Sequence, residues 1–381
     1  MRKQYIRALL SLFTAFVCII NIICINITAE EHTFCYVLIE ADGKAVISSE
    51  NENIKVPIGT MAKLMTVLLT AEYIESGSAA LTDTLKTSSY ANSMQGAQIW
   101  LMPGEEITVD ELLKAVIIGN ANDASVVLAE KIAGSEEKFT ELMNDKAKEI
   151  GMNSTVFTNC NGYYDENNQL STAYDLAVLC SKLAEYDFLR EYFICWRDFV
   201  RDGKTELVNS NEMVKYYKGI CGYKASFTDS SGYCIAAAGE RNGTMYITVI
   251  LGCDDKNKCF IKAENLLNSA FSDYTVFTPE LPERMPTEIP VRGGLSKAAL
   301  IEYGNVRKVV LPNSAVSSLS SKVIMPEYIY APVQKGYKVG EIQFFRNDKL
   351  MFCVDIVTKE NINEINIIKS LGILLKKLLT F

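Results

Sequence analysis

The sequence predicts an α+β chain: an antiparallel sheet with helices packed on it, followed by a small all-β C-terminal domain. Three observations carry this. Strand-like runs stand on both sides of a central helical stretch, so one sheet is drawn from both ends of the first domain. Four of the nine prolines lie between Pro279 and Pro290, and after them short alternating runs replace helical periodicity. A chain of 381 residues, 49% apolar and 22% charged, is long enough for more than one core.

The elements follow in order. Phe34 to Ile39 and Ala45 to Ser48 read as strands joined by the turn Ala41-Asp42-Gly43-Lys44. Thr60 to Ser76 is helical and apolar almost all round, hence buried, and Gly77 ends it. Thr108 with Glu111 forms a capping box for a helix through Ile118. Asn122 or Asp123 is expected to cap a second helix to Ala133. Ser135 caps a third, with Phe139, Leu142, Met143 and Ile150 on one face and Gly151 at its end. Ser171 is expected to cap a fourth through about Leu183. From Tyr223 the period shortens, with strands over Gly232–Ala238 and Met245–Gly252 about the turn Arg241-Asn242-Gly243. Beyond the prolines, short strands are expected near 288–291, 298–303, 307–311, 322–325, 337–345 and 350–357.

Both ends of the sequence have membrane character. Residues 1–29 read as a secretory signal, with Arg2, Lys3 and Arg7 ahead of an apolar run to Ile27 and the small Ala29 at the cut. An uncleaved anchor is the other reading; either places the remainder outside the cytoplasm. Residues 362–381 carry Ile365, Ile368, Gly372, Leu375 and Leu379 on one helical stripe with Lys369, Lys376 and Lys377. That pattern suits a basic amphipathic helix on an anionic bilayer surface, a helix packed on its own domain being the plainer reading. The expected division is therefore 1–29 signal, 30–276 first domain, 277–361 small β-domain and 362–381 membrane-associating helix. Eleven cysteines, two of them in the signal, show no CxxC spacing and indicate no disulfide framework. Cys180 and Cys234, on apolar runs, read as small buried hydrophobes.

Composition also narrows the chemistry. The formal net charge of −8 argues against a nucleic-acid partner. The single histidine, His32, lies near the N-terminus. A His-based hydrolase or His-built zinc site is thereby disfavoured, and lysine becomes the leading candidate for a base. Three places fit that expectation. Thr60-Met61-Ala62-Lys63 puts a hydroxyl and an amine on one face at the start of a buried helix, where burial lowers the lysine pKa. Asn120-Ala121-Asn122 lies between two capped helices, where amides can orient a lysine and hold a substrate carbonyl. Lys224-Ala225-Ser226 opens a strand whose edge can supply an oxyanion N–H, with a lysine to attract a carboxylate. Each pattern is common by itself.

In this order they resemble the S-x-x-K, S-x-N and K-T-G motifs of penicillin-binding proteins and serine β-lactamases. The surrounding words are more specific. Val56-Pro57 through Lys63-Leu64-Met65-Thr66, Gly104-Glu105-Glu106-Ile107-Thr108-Val109, Asn122-Asp123-Ala124, Asn161-Gly162, Ser171-Thr172-Ala173-Tyr174-Asp175-Leu176 and Gly232-Tyr233-Cys234 look like the low-molecular-weight D-alanyl-D-alanine carboxypeptidases. Ala331-Pro332-Val333, Lys335-Gly336 and Val339-Gly340 are similar to that family's small β-domain, and residues 362–381 to its tail anchor.

The resemblance implies a β-lactamase/transpeptidase-like first domain and removal of the terminal D-Ala of peptidoglycan stem peptides through an acyl-enzyme. It implies no metal or organic cofactor, β-lactams as ligands, and a location at the outer face of the cytoplasmic membrane or in the cell wall. By resemblance Thr60 is the nucleophile, Lys63 its base, Asn120 and Asn122 the second motif, and Lys224, Ala225, Ser226 and Phe227 the substrate-binding strand. The N–H groups of Thr60 and Phe227 would form the oxyanion hole.

The motif letters depart at all three places. Thr60 stands where the family has serine, and its methyl group restricts χ1. Asn120 replaces the relay serine, and Ala225 and Ser226 replace threonine and glycine. The competing expectation is a catalytically impaired homologue that binds stem peptide or a cell-wall partner without turnover.

Overall fold

A computed structural model describes residues 32–163, 168–278, 280–282, 285–304, 308–316 and 319–365. The proposed signal and residues 366–381 of the proposed tail helix lie outside the described residues. No helix among the described residues is long and apolar enough to cross a membrane. Contacts divide the chain into two compact units, one of residues up to Ile39 with Ser48–Leu267, the other of Glu40–Ile47 with Asn268 onward.

The first unit is built on five antiparallel strands, β1 (Cys35–Glu40), β2 (Val46–Glu50), β3 (Ile220–Thr228), β4 (Gly232–Arg241) and β5 (Thr244–Cys253). Their spatial order is β2-β1-β5-β4-β3, so strands from both ends of the unit share one sheet and β3 is an edge. The longer helices are α1 (Lys63–Glu75), α2 (Val109–Ile117), α3 (Asn122–Ala133), α4 (Glu136–Glu149), α5 (Ala173–Leu183) and α6 (Lys256–Asp273). Helix α5 packs on β5, and α1 packs against α2, α3, α4 and α5. Leu64, Met65 and Leu68 of α1 are fully buried. Each such side chain contributes about 1.5–3 kcal/mol. The low amphipathicity read from the sequence is thus the signature of a central helix.

Local chemistry sets the helix starts. Thr108 and Glu111 form the expected reciprocal capping box on α2. Ser135 caps α4 by accepting from Lys138 N. Two expected caps need correction. The N-cap of α3 is Ala121, with no side-chain cap, because Asn122 and Asp123 are already helical and their side chains are engaged elsewhere. The cap of α5 is Thr172, which accepts from Asp175 N, while Ser171 belongs to a two-residue ladder with Val56. Leu142 is 42% exposed and leaves the buried face of α4 to Phe139, Met143 and Ala147. The hairpin Arg197–Val200 with Thr205–Val208 and helix α6 were not anticipated. All nine cysteines from Cys35 onward are free, and Cys180 and Cys234 are buried.

The second unit holds a six-stranded sheet of β6 (Glu288–Arg292), β7 (Ala298–Tyr303), β8 (Leu319–Ile324), β9 (Ile329–Tyr330), β10 (Lys338–Arg346) and β11 (Lys349–Thr358). The order is β8-β10-β11-β7-β6-β9. One face is lined by Ile289, Ala299, Ile342 and Ile356, with Phe344 stacked on Phe352 at 4.6 Å. A separate ladder pairs Tyr274–Phe277 with Val309–Pro312.

Candidate active site

The site is built where the start of α1 meets the edge strand β3. Gly59 opens a 3-10 turn over Gly59–Ala62 that runs into α1. Its φ of +47° and a Cβ position only 2.7 Å from Thr228 Cγ2 leave room for glycine alone. Thr60 therefore lies in this turn and Lys63 is the first residue of the α-helix. Thr60 is 5% exposed, and its Oγ1 is buried without a hydrogen-bond partner among the described residues.

Lys63 is 1% exposed. Its Nζ donates to Asn122 Oδ1 and to the Asn161 carbonyl, each at 2.6 Å. Burial, and then the charge of Lys224, hold its pKa well below the ordinary lysine value, against weaker opposing pulls from Cys160 and Asp123. Asn122 is itself fixed, its N donating to Ala97 O at 2.7 Å and its Nδ2 to Gln95 O at 2.5 Å. The next residue, Asp123, is fully buried and accepts from the N–H groups of Ile99, Leu101 and Ala124. The loop 95–101 is thereby tied to the first turn of α3.

Asn120 has φ +56°, a left-handed conformation that asparagine tolerates. Its Oδ1 accepts from Lys224 Nζ at 2.6 Å. Lys224 is 3% exposed, and burial brings its pKa down to about 7. The second motif thus presents one amide to each lysine: Asn122 to Lys63 and Asn120 to Lys224.

Strand β3 pairs with β4 in unbroken register here, Lys224 opposite Ala236, Ala225 opposite Ile235, Ser226 opposite Cys234 and Phe227 opposite Tyr233. Ala225 N donates outward, to Ser210 Oγ at 3.3 Å. N–H groups of alternate residues share one edge of a regular strand. Phe227 N–H therefore points to the open edge as well. Ser226 Oγ, where the family has glycine, is buried and without a partner among the described residues.

A cavity of about 540 Å³ opens at this point, lined by Thr60, Asn120, Asn122 and Phe227 from the expected set and by Ala97, Tyr163, Thr228 and Asp229. Lys63, Lys224, Ala225 and Ser226 do not line it; the two lysines lie behind the asparagines that do. Sequence reasoning missed the Asn161 carbonyl, Ser210, Tyr163, Thr228 and Asp229 as site groups. The pair Asn161-Gly162 was a signal: an ideal Cβ on Gly162 would lie 2.0 Å from Gly59 O, so the strap crossing the start of α1 requires glycine. No cluster of three or more His, Cys, Asp or Glu among the described residues is arranged to hold a metal. A buried hydroxyl, a lysine poised toward neutrality and an outward edge N–H are the parts of nucleophilic acyl transfer.

Comparison with known proteins agrees with this chemistry. Residues 26–255 match the D-alanyl-D-alanine carboxypeptidase family model, and residues 285–364 match the penicillin-binding protein 5 C-terminal domain. The chain is 33% identical over 334 residues to the D-alanyl-D-alanine carboxypeptidase DacF of Bacillus subtilis, covering 86% of this chain and 85% of that one. Penicillin-binding protein 5 from Haemophilus influenzae shares the fold, with a TM-score of 0.78 at 21% identity over 89% of this chain and 100% of that one. Penicillin-binding protein D2 from Listeria monocytogenes, solved in a cefotaxime-bound form, aligns with a TM-score of 0.57 at 26% identity over 62% of this chain and 96% of that one. With its larger part matched by the family model and a third of its aligned residues shared with DacF, the chain belongs to the D-alanyl-D-alanine carboxypeptidase family.

Proposed function

We propose that this chain removes the terminal D-alanine of peptidoglycan stem peptides through an acyl-enzyme on Thr60. The observation that carries the reading is the way Lys63 Nζ is held, buried and donating to two fixed acceptors, one turn of chain from Thr60. A neutral amine has two hydrogens and one lone pair. Asn122 Oδ1 and the Asn161 carbonyl take both hydrogens, leaving the lone pair unclaimed for the buried Thr60 hydroxyl. Thr60 Oγ1 attacks the carbonyl carbon between the last two D-alanines as its proton passes to Lys63. The oxyanion is held by the N–H groups of Thr60 and Phe227. The tetrahedral carbon expels D-alanine, whose nitrogen recovers a proton from Lys63, and water then cleaves the ester by the same route.

Lys224, as ammonium, supplies the field that draws the substrate carboxylate, with Asn120 between it and the cavity. Asn120 holds that lysine but has no hydroxyl proton to relay. Ala225 lacks the hydroxyl that would bond the carboxylate, and Ser226 adds bulk. Each missing charged hydrogen bond costs about 1.5–3 kcal/mol, a slower enzyme with the same reaction. The relatives' names favour turnover over binding without it.

Family membership supports action on cell-wall peptidoglycan outside the cytoplasm, with residues 1–29 as export signal and the tail after Ile365 resting on the outer face of the cytoplasmic membrane. The expected start of that tail at residue 362 is corrected: Ile362 and Glu364 bridge to Val333 and Gly294, and Ile362 is buried in the core of the β-domain. The test is intact-protein mass spectrometry after incubation with benzylpenicillin, with peptide mapping, beside an assay of D-alanine release from a stem pentapeptide. An adduct on Thr60 and D-alanine release are expected, both absent from Thr60→Val. Neither signal in the wild-type chain, where Thr60→Ser gives both, overturns the reading.

A further inference from the structure

We infer that Glu136 is a positioning residue for acyl transfer: its buried carboxylate fixes the strap Asn159–Gly162 and so holds the Asn161 carbonyl against Lys63 Nζ. The inference rests on the reading of Lys63 as base.

Glu136 is the first residue of α4 and is 8% exposed. A buried carboxylate is costly unless its charge is answered. Its hydrogen-bond partners among the described residues include no lysine or arginine. Three donors answer it instead. Tyr90 OH donates to Oε2 at 2.6 Å, while Cys160 N and Cys160 Sγ donate to Oε1 at 3.1 and 3.0 Å. The N-terminus of α4 adds its favourable dipole. Two of the three donors belong to one residue of the strap.

The strap in turn touches the start of α1 at three levels. Gly162 crosses Gly59 so closely that no side chain fits. The Asn161 carbonyl accepts from Lys63 Nζ, and the Cys160 carbonyl accepts from Thr66 Oγ1, each at 2.6 Å. Asn159 Oδ1 closes the turn by accepting from Asn161 N and Gly162 N. The Asn161 carbonyl lies two peptide planes after the one that Glu136 pins through Cys160 N, and the plane between is held by Thr66 through the Cys160 carbonyl, so a shift at Cys160 N is passed on through few torsions. Loss of that pin lets the strap pivot about Gly162 and takes an acceptor from Lys63. The ammonium form loses most by this, so the lysine titrates lower and the amine is less well aimed. Lys224 and Asp123 also act on Lys63 and are not touched by the change, while the Cys160 thiol, which donates to Glu136, is held protonated first by its own burial.

Two substitutions separate reach from charge. Glu136→Gln keeps the reach of the acceptor and removes the charge; Glu136→Asp keeps the charge and withdraws it by one methylene. The full chain is labelled with ¹³Cε-lysine, and the Lys63 resonance is assigned by its loss in Lys63→Met. In Glu136→Asp the Lys63 titration midpoint is expected to fall by about half a unit or more. Its acylation rate constant with saturating benzylpenicillin should fall about tenfold or more, with the pre-acylation Kd unchanged. Glu136→Gln should titrate and acylate like the wild type. An unchanged Lys63 midpoint in Glu136→Asp overturns the inference, as does a Glu136→Gln shift equal to that of Glu136→Asp. If Glu136→Asp fails to fold, Tyr90→Phe, which removes only the hydroxyl on Oε2, should lower the midpoint, and no change there overturns the inference. A wild-type chain that benzylpenicillin does not acylate defeats the functional reading alone, since the titration is read without turnover.

Discussion

Lys224 Nζ donates to Asn120 Oδ1 at 2.6 Å, so the cation of the third motif is held by an amide where the family has a hydroxyl. The amide oxygen accepts from the lysine, but an amide has no hydroxyl proton to relay. Asn120→Ser is therefore expected to raise kcat for D-alanine release about tenfold or more, the usual scale for restoring a proton path. KM should change little, because Lys224 keeps an acceptor. A coupled D-alanine assay on the stem pentapeptide reads both constants.

The Thr60 hydroxyl is buried and has no hydrogen-bond partner among the described residues, a group kept against stability. Thr60→Val preserves the branched shape and removes the oxygen. The variant should be more stable by about 1 kcal/mol in chemical denaturation and give no benzylpenicillin adduct. A stabilised protein that still forms the adduct would place the nucleophile elsewhere.

Lys224 also couples folding to pH. Its folded pKa of about 7 lies below the ordinary 10.5. Between those values the unfolded chain binds a proton that the folded chain does not, so this group makes stability rise with pH, by up to about 1.4 kcal/mol per unit. Below about 7 both states are protonated and the contribution is flat. The test is the difference in stability between wild type and Lys224→Met from pH 7 to 10, which should slope toward the wild type by close to one proton. The same loss of charge predicts weaker binding of carboxylate-ended substrates as pH rises through 7.

Asp123 ties three backbone N–H groups to the first turn of α3. Asp123→Ala strands them and should cost about 2–4 kcal/mol. The end of the loop at 99–101, freed from Asp123 while Asn122 still holds Gln95 and Ala97, should show faster amide exchange at Ile99 and Leu101.

What the sequence made legible was whatever a side chain announces within a few residues. The Thr108–Glu111 box, the Arg241-Asn242-Gly243 turn and the two arms of the sheet are local patterns of that kind. The start of α3 was misplaced because Asn122 and Asp123 are good capping residues already committed to Lys63 and to loop 95–101. The hairpin about Arg201, Asp202 and Gly203 was hidden in a charged run whose left-handed residues are not visible as letters. In the site, the residues read from spacing were those whose side chains act. The Asn161 carbonyl is a backbone atom, Ser210 meets Ala225 from 15 residues away, and Glu136 at a helix start reads as a surface acid.

Strand β3 ends its sheet, and from Gly222 to Thr228 it is registered residue for residue on β4. The groups it offers outward are main-chain groups, aimed by that ladder and indifferent to which side chains stand at 225 and 226. Spelling can drift at such a strand while the direction of its edge N–H groups stays set by the ladder. Genome surveys that count members of this family by their motif letters would pass over chains like this one, whereas surveys that ask for the ladder, the strap glycine and the two buried lysines would keep them.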